Sequence, residues 1–256
     1  MTVRTEHSRG VTRLIIDRPE RRNALDASVV DGLVEGVAMA EGDKQCRVLV
    51  ITGEGDHFCA GRDFGEADRN IPLDRILDYD DRYARLFATL HRMTKPSVAV
   101  VRGYAVAGGF AIAMACDFVL ADASARFGAF EIRGGVPAAM NAAVLTHMVG
   151  KRRALELLLS TEPVTAAELH AMHLVNRLAP DADGLKEMTR SFVGGLTGLD
   201  PVAVKLTMET HRAVAGMPYE DSLVLARTVN ALMMSSGRID AAAATLARSR
   251  SPRNED

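Results

Sequence analysis

The chain has 256 residues and a mass of 27.6 kDa, enough for one large domain or a domain with a small appendage. With 48% hydrophobic and 25% charged residues it is neither a disordered nor a collagenous chain, and its length lets it bury a sizeable core without disulfides. Its 31 Lys and Arg balance 33 Asp and Glu to a net charge of −2, so no basic field recruits nucleic acid or anionic membrane, and the absence of Trp argues against stacking platforms.

The first clear strand is Val11–Ile16, stopped by Arg18-Pro19 because proline removes a ladder donor. A helix follows over 28–41, with Asp26 as its cap and Val29, Val30, Leu33, Val34 and Val37 on one face. The apolar run 47–52, bounded by Gly53 and Gly55, reads as a strand buried on both faces. After a glycine-rich loop to Gly65, an amphipathic helix is expected over 73–93, with Ile76, Tyr83, Leu86, Phe87 and Leu90 inward. Pro96 opens the strand 97–101, a small-residue helix starts near Gly108-Gly109 and ends at Asp117, and 118–121 is the next strand. Strands alternating with helices predict βαβ units, hence an α/β core. Beyond Ala138 the expected elements are helices over 141–150, 151–160 and 165–170, a short strand over 174–178, and helices over 201–215, 218–234 and 238–247. The polar tail 249–256 is expected to fray. The organisation is read as a core domain over 1–198 and a helical region over 199–256.

Gly53 and Gly55 after a strand invite a dinucleotide-binding reading, which fails because Phe58 stands where the third glycine is needed and no helix opens at once. A phosphate-binding P-loop fails as well, since no Gly-Lys-Ser/Thr follows. These loops instead expose main chain. Ala60-Gly61-Arg62 lacks bulk at its first two positions, and Ala107-Gly108-Gly109 sits at a strand-to-helix turn where unsatisfied N–H groups and the helix dipole add positive character. Two such turns converging on one point would form an oxyanion hole. The alternative for Gly108-Gly109 is tight packing of the helix on the preceding strand, and spacing alone does not choose between them.

The stretch His57-Phe58-Cys59-Ala60-Gly61-Arg62-Asp63 resembles the Phe-x-Ala-Gly-x-Asp motif of the crotonase (enoyl-CoA hydratase/isomerase) superfamily. Pro19 with Asn23-Ala24-Leu25, Lys95-Pro96 with residues 103–109, Arg126-Phe127-Gly128 with Glu131 and Gly135-Val136-Pro137, and the helical segment from Val149-Gly150 continue the pattern in order. The resemblance covers nearly the whole chain to about residue 200. It implies an α/β fold, a spiral of ββα units with a C-terminal helical trimerisation region. It also implies an acyl-CoA thioester substrate whose carbonyl oxygen lies between two backbone N–H groups, those of Arg62 and Gly108 by position. Arg22, Ala24, Ala60, Gly61, Asp63 and Gly109 fall on the segments that line the substrate in the family.

Hydratases of this family with two bases carry one glutamate shortly after the second oxyanion turn and another further on. Here the first position is Ala111, while the second is present as Glu131. Apolar neighbours should raise the Glu131 pKa toward neutrality, as a general acid/base needs. The alternative is an ion pair of Glu131 with Arg133 or Arg126. A single carboxylate serves double-bond isomerisation directly, and hydration if the water is otherwise positioned, so the motif does not separate the two. Other enolate chemistry on a CoA thioester, such as decarboxylation, C–C cleavage or hydrolysis, and a non-catalytic acyl-CoA-binding role also stay open.

Asp63 is expected to pin its loop, Arg21 or Arg22 to meet a CoA phosphate unless solvated, and Asp80-Asp81 to face solvent. His170 and His173 lack a third ligand nearby, and the odd count of Cys46, Cys59 and Cys116 shows no zinc spacing, so no metal is expected. No cofactor is called for beyond the CoA of the substrate. Buried thiols, a polar, strand-like N-terminus without signal-peptide character and no run of about 20 apolar residues point to a cytoplasmic protein without a membrane span. The family implies a homotrimer or a dimer of trimers, with the Ala- and Met-rich C-terminal helices, including Met233-Met234, as candidates for burial between subunits.

Overall fold

A computed structural model describes residues 2–63 and 72–236. In chain order, β1 (Val3–Ser8) and β2 (Val11–Ile16) form a hairpin, and a 3₁₀ turn (Pro19–Arg21) leads to α1 (Ala27–Gly42). Then come β3 (Val48–Gly53), α2 (Leu73–Arg92), β4 (Ser97–Val101), β5 (Tyr104–Val106), α3 (Gly108–Ala115), β6 (Phe118–Asp122) and β7 (Arg126–Gly128). A second 3₁₀ turn (Phe130–Gly134) precedes α4 (Ala139–Val149), α5 (Lys151–Leu159), β8 (Val164–Thr165), α6 (Ala166–Ala171), β9 (Arg177–Ala179) and α7 (Ala182–Thr197). Those elements belong to one compact unit, Met1–Leu199; a second, Asp200–Asp256, contains α8 (Pro201–Val214) and α9 (Tyr219–Ser235).

The larger sheet runs β1-β2-β3-β4-β6-β9, with only the β1–β2 pair antiparallel. Parallel neighbours need crossovers; helices α1 and α2 cover one face of the sheet, and α7, which follows β9, covers the other. Strand β3 records this in its side chains: Leu49 and Ile51 enter the main core with α1 and α2, while Val48 and Val50 pack on the other face with Leu185 and Val193 of α7. Burying each such aliphatic side chain stabilises the fold by about 1.5–3 kcal/mol. Asp26 caps α1 as expected, its carboxylate accepting the Val29 N–H at 2.9 Å.

The smaller sheet, β5-β7-β8, positions the site. β5 lies parallel to β7, and just beyond them the Ala107 N–H donates to the Gly128 carbonyl at 2.7 Å. The turn opening α3 is thereby fastened to the end of the strand that leads to Glu131.

The strand-like N-terminus is a strand, and several later elements differ from expectation. Strand β1 is almost wholly exposed, so its polar sequence carries no inward apolar face; main-chain pairing and the Arg9-Gly10 turn, both residues at positive φ, hold it. Strands β5, β7 and β8 have only two or three residues, too few for a two-residue period to register. Leu174 and Val175 are buried in the turn after α6, leaving β9 to begin at Arg177. The 16-residue helix α7 stands between the expected strand over 174–178 and the expected helix over 201–215. The expected helix over 238–247 and the tail lie outside the described residues.

Candidate active site

The two turns come together by strand-like pairing of short segments. Cys59 bridges to Ala105, with its N–H on the Tyr104 carbonyl at 2.9 Å and its carbonyl accepting from Val106 at 3.0 Å. Arg62 bridges in parallel to Leu25: the Leu25 N–H binds the Gly61 carbonyl at 2.8 Å, and the Asp63 N–H binds the Leu25 carbonyl at 2.9 Å. In that pattern the flanking groups face the partner, so the N–H of Arg62 itself points the other way. It makes no hydrogen bond among the described residues, and neither does the N–H of Gly108 at the first position of α3.

The packing shows how close the turns lie. A Cβ built on Gly61, whose φ is +85°, would stand 2.6 Å from the Ala107 Cβ and 3.1 Å from the Gly108 nitrogen. A Cβ on Gly108 would meet the Tyr83 hydroxyl at 2.7 Å and Leu25 Cδ1 at 2.9 Å, and one on Gly109 would strike the Cys59 carbonyl. Ala107 itself holds φ 51° and ψ −122°, a conformation that costs an L-residue about 1–3 kcal/mol. Its neighbours over-determine it: its N–H is held by Gly128, and its carbonyl accepts from Phe110, Ala111 and the Asn141 side chain.

Glu131 lies in the 3₁₀ turn after β7, half-buried. Its Oε1 accepts from Asn141 Nδ2 at 2.8 Å, and the same Nδ2 donates to the Ala107 carbonyl at 3.0 Å. Burial raises the Glu131 pKa above the ordinary carboxylate value, while hydrogen bonds from its own N–H and from Asn141 oppose the rise. The ion-pair alternative is not what forms. Arg133 stacks on Phe130 with its guanidinium carbon 3.8 Å from the ring centroid, and Arg126 donates to the Ala123 and Ala125 carbonyls. Tyr83, buried on α2, donates to the Gly108 carbonyl at 2.8 Å, and burial pushes its phenol well above the ordinary value.

The remaining predicted residues frame this centre. Ala60 donates its N–H to the Arg22 carbonyl at 3.0 Å, and the Arg22 side chain lies 5.9 Å from the Tyr104 ring centroid. Ala24 is buried, its carbonyl accepting from Arg18 at 2.8 Å. Asp63 pairs with Arg18 at 3.0 Å, and Arg18 also reaches Asp26 at 3.1 Å, so this carboxylate pins its loop to the segment between β2 and α1. The Arg62 guanidinium lies 4.2 Å over the Tyr79 ring centroid and 3.2 Å from Asp80, which gives Asp80 a partner where a purely solvated face was expected. His170 Nδ1 contacts the Val175 carbonyl at 2.7 Å, and among the described residues no three His, Cys, Asp or Glu side chains converge to hold a metal.

Two cavities lie away from this centre. A cavity of about 820 Å³ lies between the outer face of the large sheet and α7, and one of about 340 Å³ lies between α5 and α6. Neither includes Glu131, Arg62 or Gly108. The family resemblance also implies acyl-lining side chains over 66–80, of which 66–71 lie outside the described residues.

The fold thus sets the main-chain N–H groups of Arg62 and Gly108 and the half-buried Glu131 around two adjoining turns, and the sequence comparison decides the family. Residues 6–240 match the model of the family described as enoyl-CoA hydratase/isomerase. The chain belongs to this family. It is similar to the 2,3-dehydroadipyl-CoA hydratase of Escherichia coli K12, with 31% identity over 88% of this chain and 88% of that protein. It is also 31% identical to the enoyl-CoA hydratase EchA19 of Mycobacterium tuberculosis, over 84% of this chain and 82% of that protein. A crystal structure of an enoyl-CoA hydratase from Polaromonas sp. JS666 superposes with a TM-score of 0.89 at 27% identity, covering 98% of each chain. The α/β crotonase fold expected from the motifs is thus the fold present. Asn141 was not singled out by the sequence. A lone Asn near the start of a helix carries no signature, and only the packing of α4 against α3 brings it to Glu131.

Proposed function

We propose that this protein adds water across the double bond of a 2-enoyl-CoA thioester. The thioester oxygen lies between the N–H groups of Arg62 and Gly108, and Glu131 is the acid/base. The carrying observation is the side chain of Asn141, which binds both the Glu131 carboxyl and the Ala107 carbonyl. That carbonyl and the Gly108 N–H belong to one trans peptide plane, so fixing the oxygen aims the N–H the opposite way. Acid/base and oxyanion donor are therefore set in one frame, as an enolate reaction requires.

In the reaction, the water oxygen bonds to C3 as its proton passes to Glu131, and the π electrons move into a thioester enolate. The two N–H groups stabilise that oxygen, and Glu131 returns the proton to C2. One carboxyl completes the cycle without a cofactor beyond the CoA of the substrate. Supporting this over the isomerase alternative, relatives at 31% identity are named as hydratases of CoA thioesters.

The reading extends to assembly and location. Helices α8 and α9 bury none of their own side chains, and Tyr219, Leu223, Val224, Leu232 and Met234 are exposed, which supports a homotrimer or a dimer of trimers. Light scattering that reports a monomer would reject the trimer. Free, buried Cys46, Cys59 and Cys116 support a reducing, cytoplasmic setting, and among the described residues no helix is long and apolar enough to cross a membrane.

The test of the reaction is loss of the conjugated thioester absorbance of a short trans-2-enoyl-CoA, with Glu131→Gln alongside. Loss that depends on Glu131 is expected. A flat trace with turnover of a 3-enoyl-CoA would replace hydration by isomerisation, and acyl-CoA binding without turnover of any thioester would replace both.

A further inference from the structure

We propose that the side-chain oxygen of Asn141 is the second acceptor that holds the attacking water, in place of the carboxylate that Ala111 lacks. This rests on the hydration reading above and names the group that makes hydration possible with one glutamate.

The amide of Asn141 is oriented without ambiguity. Its Nδ2 has two acceptors, Glu131 Oε1 at 2.8 Å and the Ala107 carbonyl at 3.0 Å, and only an NH₂ group satisfies both. The Oδ1 must then face the other side. Asn141 is fully buried, and its Oδ1 receives no hydrogen bond among the described residues; the same is true of Glu131 Oε2, also a buried atom. Buried acceptors without donors are uncommon in folded proteins. These two belong to side chains already joined to one another, and the joined pair stands against the turn that carries the Gly108 N–H.

Water matches that pair. It donates one O–H to Glu131 Oε2 and the other to Asn141 Oδ1, leaving a lone pair for C3. As the C–O bond forms, the first proton goes to Oε2 and the second stays on the new hydroxyl, hydrogen-bonded to Oδ1. The electron pair of the double bond ends at C2, where Oε2–H delivers its proton. No atom or charge is left over. Ala111 is itself wholly buried on α3, so a longer side chain there would compete for packed space. Asn141 brings the second acceptor from α4 instead.

A reaction that needs Glu131 but no attacking water separates this role from simple support of the carboxyl. Exchange of the α-protons of a saturated acyl-CoA with D₂O, followed by NMR, is such a reaction. For Asn141→Ala, hydration is expected to fall about 100-fold while exchange falls less than about fivefold. Equal losses in both, with wild-type hydration intact, would overturn the inference and leave Asn141 as a positioning residue for Glu131. A wild-type protein that exchanges α-protons yet never hydrates would overturn the hydration reading as well. Should Asn141→Ala fail to fold, a high-resolution crystal structure of the wild-type protein decides. A water within hydrogen-bond distance of both Glu131 Oε2 and Asn141 Oδ1 supports the assignment, and its absence from a well-ordered site overturns it.

Discussion

Ala60-Gly61-Arg62 and Ala107-Gly108-Gly109 lie against each other and present the same chemical group, yet they are built differently. In the first turn the glycine precedes the donor. Gly61 takes a φ of +85° and leaves room for Ala107, while Arg62 carries a full side chain away to Tyr79 and Asp80. In the second the donor is itself the glycine, because Tyr83 and Leu25 occupy the space of any Cβ, and an alanine bears the positive φ. A main-chain donor is thus indifferent to its own side chain wherever that side chain has an exit. Glycine is compelled only where the exit is closed.

Substitutions at these positions would sharpen or break that contrast. The largest loss is expected for Glu131→Gln, about 10²–10⁴-fold in kcat/KM, since general acid/base catalysis of one group is worth that much. Next is Gly108→Ala: the N–H is retained but displaced, and a loss of about 100-fold in kcat/KM is expected. Gly61→Ala should cost about 1–2 kcal/mol in denaturant unfolding, because a Cβ is added both at positive φ and against Ala107. Arg62→Ala should lose less than about tenfold in kcat/KM, since its N–H is untouched. A loss at Arg62→Ala equal to that at Gly108→Ala would break the comparison.

The smallest effect is on stability. Burial raises the folded-state pKa of Glu131, so folding favours the protonated form. That contribution is complete below the ordinary carboxylate pKa and is lost as pH rises through the folded value. Glu131→Gln is uncharged throughout. Its Tm should match wild type at acid pH and exceed it at neutral pH, as thermal melts across that range would show.

Much of the larger architecture is legible in the chain because its causes are local. Apolar spacing and the Asp26 cap mark α1, an uninterrupted apolar run marks β3, and Pro96 marks the start of β4. The motif around Ala60-Gly61-Arg62 and the Gly108-Gly109 turn were legible for the same reason, since each concerns the main chain of a few consecutive residues. Strand β1 was less legible, as an exposed edge strand has no buried face to write into its sequence.

What the sequence by itself determined is therefore the set of helices and long strands, the two glycine turns and a single available glutamate. Tertiary structure decided how these meet. Pairing of three short strands fastened Ala107 to Gly128 and placed Glu131 just beyond, and the packing of α4 carried Asn141 to both. It also settled that Glu131 faces an amide and not an arginine. The physical reason is range: periodicity, capping and turn chemistry act within a few residues. The convergence of Ala107, Glu131 and Asn141 depends on non-local sheet pairing and on burial, which no stretch of the chain contains alone.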